Sequence, residues 1–240
     1  MLSSRLRFSG AYLLASILVI LLPAAVLFVI WYPQGLRPFT GGGSMFALVL
    51  VAVAIGPLMT LLFYKANRRL LLMDVSVIII VQILTAGIGV HALHQGRAQW
   101  IVFVKDDWRI LRPIDMQPDQ AWRVGDLLSG PRWIGARYAD DEVTRAEQET
   151  RELVDGVTVE SFASSHVALD TVLPNIINTA RPLARLTEHN SASAVQAILA
   201  EIPEAHGWLP LKGISRDGVV LVDAQGHPLR AVPLAPWEPD

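Results

Sequence analysis

The sequence predicts a membrane protein in which three transmembrane α-helices precede an α+β soluble domain with a mostly antiparallel sheet. The chain has 240 residues and is 52% hydrophobic, with its apolar residues concentrated in roughly the first hundred positions. Three apolar runs lie there, at about 11–32, 46–64 and 71–94. Each is long enough as a helix to cross a hydrocarbon core of about 30 Å. We therefore expect a membrane domain over 1–96 and a soluble domain over 97–240.

A short basic loop between the second and third runs predicts the orientation of the chain. Lys65, Arg68 and Arg69 lie in this loop, and no other loop between the apolar runs is as basic. Short loops rich in Lys and Arg stay on the cytoplasmic side of a membrane. The N-terminus should therefore lie in the cytoplasm, and the soluble domain should lie on the other side of the membrane.

Polar and helix-breaking residues within the apolar runs are candidates for contacts between helices. Pro57 lacks a backbone N–H and predicts a kink, which the hydroxyl of Thr60 could stabilise. Gly56 allows another helix to approach closely, either within the three-helix bundle or from a partner protein. The amide of Gln82 needs a partner, either on a neighbouring span or on another protein's membrane helix.

Composition and motifs give no reason to expect an enzyme. The formal net charge of −2 does not indicate a nucleic-acid partner, and the absence of cysteine excludes disulfides and thiol catalysis. His91 and His94 could hold a metal only with ligands from elsewhere, so we expect an interfacial pair and neither metal nor cofactor. The sequence 164–166 joins hydroxyls to an imidazole, but no nucleophile elbow presents them.

After Gly96 the pattern changes to short segments with turn signals. Trp100 to Val104 predicts a strand, Asp106-Asp107 a turn, and Trp108 to Leu111 the returning strand of a hairpin. The remaining expected elements are a strand at 132–138, helices at 140–153, 173–186 and 191–202, and a meander at 209–215, 219–223 and 229–232.

Taken in order, these features resemble the TfpX/TfpZ family of type IV pilin accessory proteins. The matching positions are Trp31-Tyr32-Pro33, Gly56-Pro57-Leu58-Met59-Thr60-Leu61, Asp74, Gln82, Arg97, Trp100-Ile101-Val102-Phe103, Leu209-Pro210-Leu211 and Pro236-Trp237. The chain departs from the family pattern at Ala98, where members tend to have proline, and at Asp106-Asp107-Trp108, where they tend to have an Asp-Arg-aromatic turn.

The resemblance implies a bacterial inner-membrane protein with a periplasmic domain. Its implied partners are a cognate major type IV pilin, usually encoded beside it, together with the lipid bilayer and other pilus assembly proteins. It implies a chaperone-like role in pilin stability or assembly, with no catalytic residues and no cofactor. We expect Gly56, Pro57, Thr60 and Gln82 to contact the membrane helix of the pilin.

Two other functions are open at this point. A membrane-anchored periplasmic enzyme or glycan-handling protein would need a cleft with convergent polar groups, and His166, Glu160 and Asp170 in one pocket would favour it. A ligand-binding sensor is less favoured, because the predicted topology leaves only 1–10 and the basic loop inside the cell.

Overall fold

A computed structural model describes residues 2–63, 68–117 and 128–238. The chain divides into two compact units. The helical unit contains Met1–Trp31 and Gly42–Gly96, and the sheet unit contains Tyr32–Gly41 and Arg97–Asp240. The loop between the first two apolar runs thus belongs to the sheet unit, although it precedes most of the helical unit in sequence.

Long apolar helices make up the helical unit. They are α1 (Leu2–Ser16), a π-helical segment (Ile17–Leu21), α2 (Leu22–Trp31), α4 (Gly42–Phe63) and α5 (Arg68–Gly96), with the short α3 (Arg37–Thr40) lying in the sheet unit. Lys65 lies outside the described residues, and Arg68 and Arg69 begin α5. The helices pack on one another, as in the contact of the Phe28 and Phe46 rings, whose centroids are 4.6 Å apart.

Two helices within the described residues have the length and apolar composition of membrane spans. They are Ser9–Trp31 and Ser76–Gly96, and a shorter apolar stretch, Val49–Met59, lies within α4. The sequence predicts three spans. The second of them, at about 46–64, contains only this shorter apolar stretch and does not meet the length criterion for a span. Its crossing of the membrane stays a prediction.

The π-helical segment is a feature that the sequence analysis did not anticipate. Leu22 donates its N–H to the carbonyl of Ile17, five residues earlier. Pro23 follows directly, and proline has no N–H and crowds the carbonyl four residues before it. A locally widened turn accommodates that ring, as π-bulges within α-helices do.

Within its described residues, the sheet unit combines eight strands with three further α-helices. The strands are β1 (Trp100–Val104), β2 (Asp107–Leu111), β3 (Arg132–Ala136), β4 (His166–Val167), β5 (Arg181–Pro182), β6 (Gly207–Lys212), β7 (Gly218–Val222) and β8 (Pro228–Val232). The helices are α6 (Glu142–Asp155), α7 (Leu169–Thr179) and α8 (Ala192–Glu201). The helix predicted at 173–186 ends earlier, because Pro182 falls in β5.

The strands form one mixed sheet in the order β4-β3-β1-β2-β6-β7-β8, with β5 also paired to β6. The hairpins β1–β2, β6–β7 and β7–β8 are antiparallel, as expected. The pairings β1–β3 and β2–β6 are parallel. The pairings β3–β4 and β5–β6 are antiparallel too, so five of the seven described pairings agree with the expectation of a mostly antiparallel sheet. The expectation did not include the parallel pairings β1–β3 and β2–β6, the second of which joins two hairpins into one sheet.

Apolar side chains cover both faces of the sheet. On one face, Val172 and Ile176 of α7 pack with strand residues such as Leu209 and Leu211. The other face carries two separate clusters. The first is Leu186, Val195, Ile202, Trp208, Val219, Leu221, Val232 and Leu234, and the second is Val102, Val104, Leu111, Ala136 and Val159.

The loop between α2 and α4 completes the first of these faces. Phe39 is fully buried there in the same cluster as Leu209 and Leu211. The carbonyl of Phe39 accepts hydrogen bonds from the N–H groups of Ile214 and Ser215, at 2.7 and 3.1 Å. This loop is therefore a structural part of the sheet unit.

Candidate functional site

A charged cleft interrupts the apolar cover of the second sheet face. It lies where β2 and β6 run side by side, between the two apolar clusters of that face. We define the charged cleft by Asp107, Arg109, Glu160 and Lys212. The cavity measures about 410 Å³ and is lined by Arg109, Glu160 and Lys212, with Asp115, Thr158 and Ser161 among the other lining residues.

Strand alternation explains why these side chains meet. Successive residues of a strand point to opposite faces, so Asp107 and Arg109 share the face of Leu111. Lys212 likewise shares the face of Trp208, and it is the register partner of Arg109 across the parallel pairing. The cleft therefore depends on a pairing between strands about a hundred residues apart.

An ion network joins the four side chains. Asp107 accepts from Arg109 Nε at 2.9 Å and pairs with Lys212 Nζ at 2.7 Å, and Glu160 accepts from Arg109 Nη1 at 2.8 Å. Burial opposes the charge of Arg109, but hydrogen bonds and charges from Asp107 and Glu160 hold the pKa of its guanidinium above its ordinary value. Arg109 is therefore a permanent cation in this cleft.

Glu160 has one satisfied and one unsatisfied carboxylate oxygen. Its side chain is only 4% exposed, and Oε1 carries the bond to Arg109. Within the described part of the chain, no group donates a hydrogen bond to the buried Oε2. A buried carboxylate oxygen without a donor is unfavourable by about 1–3 kcal/mol, so this atom has an unused capacity to accept a hydrogen bond.

The structure does not place His166, Glu160 and Asp170 in one pocket, the arrangement that would favour an enzyme. Glu160 lines the cleft, but His166 does not. Nε2 of His166 instead forms a hydrogen bond with the backbone oxygen of Glu160, at 2.7 Å. Asp170 is exposed in the first turn of α7 and does not line the cleft. Ser165 accepts a hydrogen bond from Gln148 Nε2 at 3.0 Å. These contacts fasten loops and helices to the sheet.

In the helical unit, Gln82 and Gly56 form a close contact. Gln82 is buried and donates from Nε2 to Ser16 Oγ at 2.9 Å, so a neighbouring helix supplies the partner that its amide needs. A Cβ on Gly56 would lie 2.1 Å from Gln82 Oε1 and 2.5 Å from the Tyr12 ring. Glycine at position 56 is thus required for α1, α4 and α5 to pack here.

Pro57 and Thr60 lie on the same helix as Gly56. Pro57 is inside α4, and its carbonyl accepts a hydrogen bond from Ser9 Oγ at 2.9 Å. Thr60 belongs to α4, but its side chain lies outside what the structure describes. The predicted contact of Gly56, Pro57, Thr60 and Gln82 with a pilin helix stays a prediction.

Sequence reasoning missed the charged cleft. It assigned Asp106-Asp107 to the turn of the first hairpin, whereas the turn is at Lys105 and Asp106, with Lys105 at φ +57°, and Asp107 begins β2. The available signal was the alternation of Asp107 and Arg109 with buried apolar residues in one short strand. That pattern places two charges on one face of a strand that is otherwise buried.

The chain is similar in sequence to several fimbrial assembly proteins. The fimbrial assembly proteins of serogroups I and E1 of Dichelobacter nodosus are each 25% identical to it over 253 aligned residues, covering 97% of this chain and 96% of theirs. The fimbrial assembly protein of serogroups C1 and C2 from the same organism is 31% identical over 117 residues, which cover 48% of this chain and 89% of that protein. The chain belongs to the fimbrial assembly protein family. No family model matches this chain, and no solved structure matches it.

This membership confirms the broader part of the resemblance inferred from the sequence. The fimbrial assembly relatives align over nearly the whole chain, so both its helical unit and its sheet unit fall within the similarity. The narrower TfpX/TfpZ assignment is a proposal.

Proposed function

We propose that this protein is an inner-membrane accessory factor, of the TfpX/TfpZ type, that binds a cognate major type IV pilin and assists pilus assembly. The observation that carries the proposal is the similarity of nearly the full chain to fimbrial assembly proteins. Helices of membrane-spanning length joined to a folded α+β unit support it as well. Such a protein can contact both the membrane helix and the exported head of a pilin subunit.

The burial of Phe39 in the sheet unit supports the proposed topology. Residues 32–41 and 97–240 share one core, so both must lie on the same side of a membrane. The chain between them, 42–96, must then cross the membrane an even number of times. Because α5 has the length of a span, α4 should cross as well, giving three crossings with the first helix. The basic loop favours a periplasmic sheet unit.

The proposed hold on the pilin helix is weak and reversible. A pilin subunit must stay in the membrane until it is assembled and must then leave. Single hydrogen bonds between membrane helices average about 0.6 kcal/mol, which suits such a hold. Because Gln82 and Gly56 already contact other helices of the bundle, we propose that they shape the surface that the pilin helix meets.

We propose no catalytic role. An enzyme or glycan-handling protein, the alternative, would have been favoured by His166, Glu160 and Asp170 in one pocket. Glu160 lines the charged cleft, but His166 and Asp170 do not, which favours an assembly factor that works through binding alone.

Co-purification with the major pilin tests the proposal. The full-length tagged protein is expressed with its cognate pilin, crosslinked mildly in intact cells and purified in detergent. We expect the pilin to be recovered with the protein and to accumulate less, with fewer surface pili, when the protein is deleted. Normal pilin abundance and piliation in the deletion strain, with no recovered pilin, would contradict the proposal.

A further inference from the structure

The charged cleft is the feature of the sheet unit that fold stability explains least. Arg109 and Lys212 are register partners in the parallel pairing of β2 with β6, and two cations side by side repel each other. Apolar residues at these positions would have joined the two flanking apolar clusters into one. Replacing a buried ion network by well-packed apolar side chains is often neutral or stabilising. We propose that the cleft is a binding site for a polar loop of the cognate pilin's exported domain, an inference that rests on the proposed function.

The charge balance of the cleft indicates which class of ligand it accepts. The two cations, Arg109 and Lys212, are matched by the carboxylates of Asp107 and Glu160. Asp115, also in the lining, is paired with Arg112 at 2.7 Å. A site with balanced charges gives little attraction to a phosphate or another multiply charged anion. It suits a neutral ligand that offers both donors and acceptors.

A peptide group carries both functions that the cleft requires. The buried Oε2 of Glu160 needs a donor, which the N–H of a peptide or a donor side chain supplies through a small adjustment or a bridging water. Lys212 is half-exposed, and an ammonium has three donors, so Nζ can bond a carbonyl while keeping its bond to Asp107. The hydroxyls of Thr158 and Ser161 line the same cavity and add further partners.

The size and lining of the cleft agree with a short loop. Its volume of about 410 Å³ is within the range of specific ligand sites. Among the residues that the structure describes, none that lines the cavity is aromatic, whereas sugar rings commonly stack on aromatic side chains. A polypeptide loop therefore fits the described part of the lining better than a glycan does.

Site-specific photo-crosslinking tests whether the cleft meets the pilin. A photoreactive amino acid replaces Thr158, in the cleft lining, in the full-length protein co-expressed with the pilin. The matched control places it at Thr187, an exposed threonine of the 3-10 helix Leu183–Glu188, which does not line the cleft. We expect a crosslink to the pilin from position 158 and none from position 187.

Substitutions at the rim and floor of the cleft test the chemistry. Lys212→Gln removes a half-exposed cation from the cleft. Its control is Arg230→Gln, because Arg230 of β8 is similarly exposed and pairs with Glu201 of α8 at 2.9 Å. Loss of a charge-assisted hydrogen bond should lower pilin recovery about tenfold for Lys212→Gln and leave Arg230→Gln unchanged. Glu160→Gln, which keeps the side-chain shape but presents a donor or a weaker acceptor, should lower recovery in the same direction.

The outcomes separate this inference from the proposed function. If the wild-type protein recovers the pilin but neither the crosslink from position 158 nor the effect of Lys212→Gln is found, the cleft assignment is wrong and the proposed function stands. A crosslink from position 158 to a glycan or lipid also overturns it. If the wild-type protein recovers no pilin, both fail.

Discussion

Gly218 shows how strongly single residues control the packing of the sheet unit. A Cβ at this position would lie 2.2 Å from the Phe39 ring and 2.9 Å from the carbonyl oxygen of Val232. Neither the buried ring nor the backbone of β8 has space to move away. Glycine is needed here because two parts of the chain approach each other closely.

Gly218→Ala should therefore destabilise the sheet unit. Overpacking of this kind lowers the free energy of unfolding by about 1–3 kcal/mol. Gly35→Ala is the control, since a Cβ at position 35 meets nothing within 4 Å. Thermal unfolding of the full-length protein in detergent, followed by tryptophan fluorescence, should show a lower midpoint for the first variant alone. Equal midpoints for Gly218→Ala and the wild type would contradict the contact with Phe39.

In the helical unit, Gly56→Ala should affect stability more than Gln82→Leu. The alanine Cβ would clash with Gln82 and Tyr12, whereas Gln82→Leu loses a hydrogen bond that averages about 0.6 kcal/mol in membranes. Gly87→Ala, where a Cβ meets nothing within 4 Å, is the control. The measurement is the amount of protein that stays in solution after heating in detergent. A Gln82→Leu protein less stable than Gly56→Ala would show that the hydrogen bond dominates.

His166 should make the sheet unit sensitive to acid. Burial lowers the pKa of its imidazole below 6.5, and the hydrogen bond to Glu160 and the Glu160 charge only partly oppose this. The unfolded imidazole therefore takes up a proton at a higher pH than the folded one. The stability that His166 contributes is complete above about pH 6.5 and decreases as the pH falls through the lowered folded value.

The unfolding midpoint of the wild type minus that of His166→Gln should thus become smaller when the pH is lowered from about 7.5 to about 5.5. His189→Gln is the control, because His189 follows the 3-10 helix Leu183–Glu188 and does not line the charged cleft. A difference between wild type and His166→Gln that stays constant over this interval would show that His166 has no folded-state shift of its pKa.

At the scale of elements, the starts of helices and the positions of turns could be predicted from residues close to them in the sequence. Asp141 accepts from the Thr144 N–H at 2.8 Å and Ser191 from the Ala194 N–H at 3.4 Å, so both expected helix starts are real N-caps. Gly226 has a φ of +85° in the expected turn between β7 and β8. Such signals lie within a few residues of the element that they start or end, and a sequence shows them directly.

The parallel pairings and the charged cleft lacked such a signal. The pairing of β2 with β6 joins residues about a hundred positions apart, and Glu160 reaches Arg109 from a separate 3-10 helix, Val159–Ser161. Nothing near Arg109 in the sequence identifies either neighbour. The assignment of the α2–α4 loop to the sheet unit was missed for the same reason, because Phe39 packs on strands from the last third of the chain.

The α2–α4 loop should contribute strongly to the stability of the sheet unit through Phe39. Truncating a buried phenylalanine typically lowers the free energy of unfolding by about 3–5 kcal/mol, so Phe39→Ala should markedly lower the unfolding midpoint. Ile114→Ala is the control, because Ile114 is 63% exposed in the same unit. Limited proteolysis of the sheet unit should be faster for Phe39→Ala alone. A Phe39→Ala protein as resistant as the control would contradict a structural role for the loop.

For the whole molecule, the shared core of 32–41 and 97–240 predicts that cysteines introduced in these two segments react with an impermeant reagent from the same side of the membrane. The chain has no cysteine, so single introduced cysteines give an unambiguous signal. Gly35→Cys in the loop and Leu153→Cys on α6, which is 87% exposed, should both react with a membrane-impermeant maleimide added to intact spheroplasts. Ala66→Cys, in the predicted basic loop, should react only after lysis. Labelling of Gly35→Cys and Leu153→Cys under opposite conditions would contradict the topology.

The burial of Phe39 in the sheet unit also affects when the core of that unit can close during synthesis. During synthesis the ring of Phe39 emerges well before the hairpin that covers it, β6–β7, because residues 207–222 come much later in the chain. A nascent or truncated product would carry an uncovered aromatic side chain, which surveillance proteases and chaperones can detect. The core of the sheet unit is therefore closed over Phe39 only after the β6–β7 hairpin has been made.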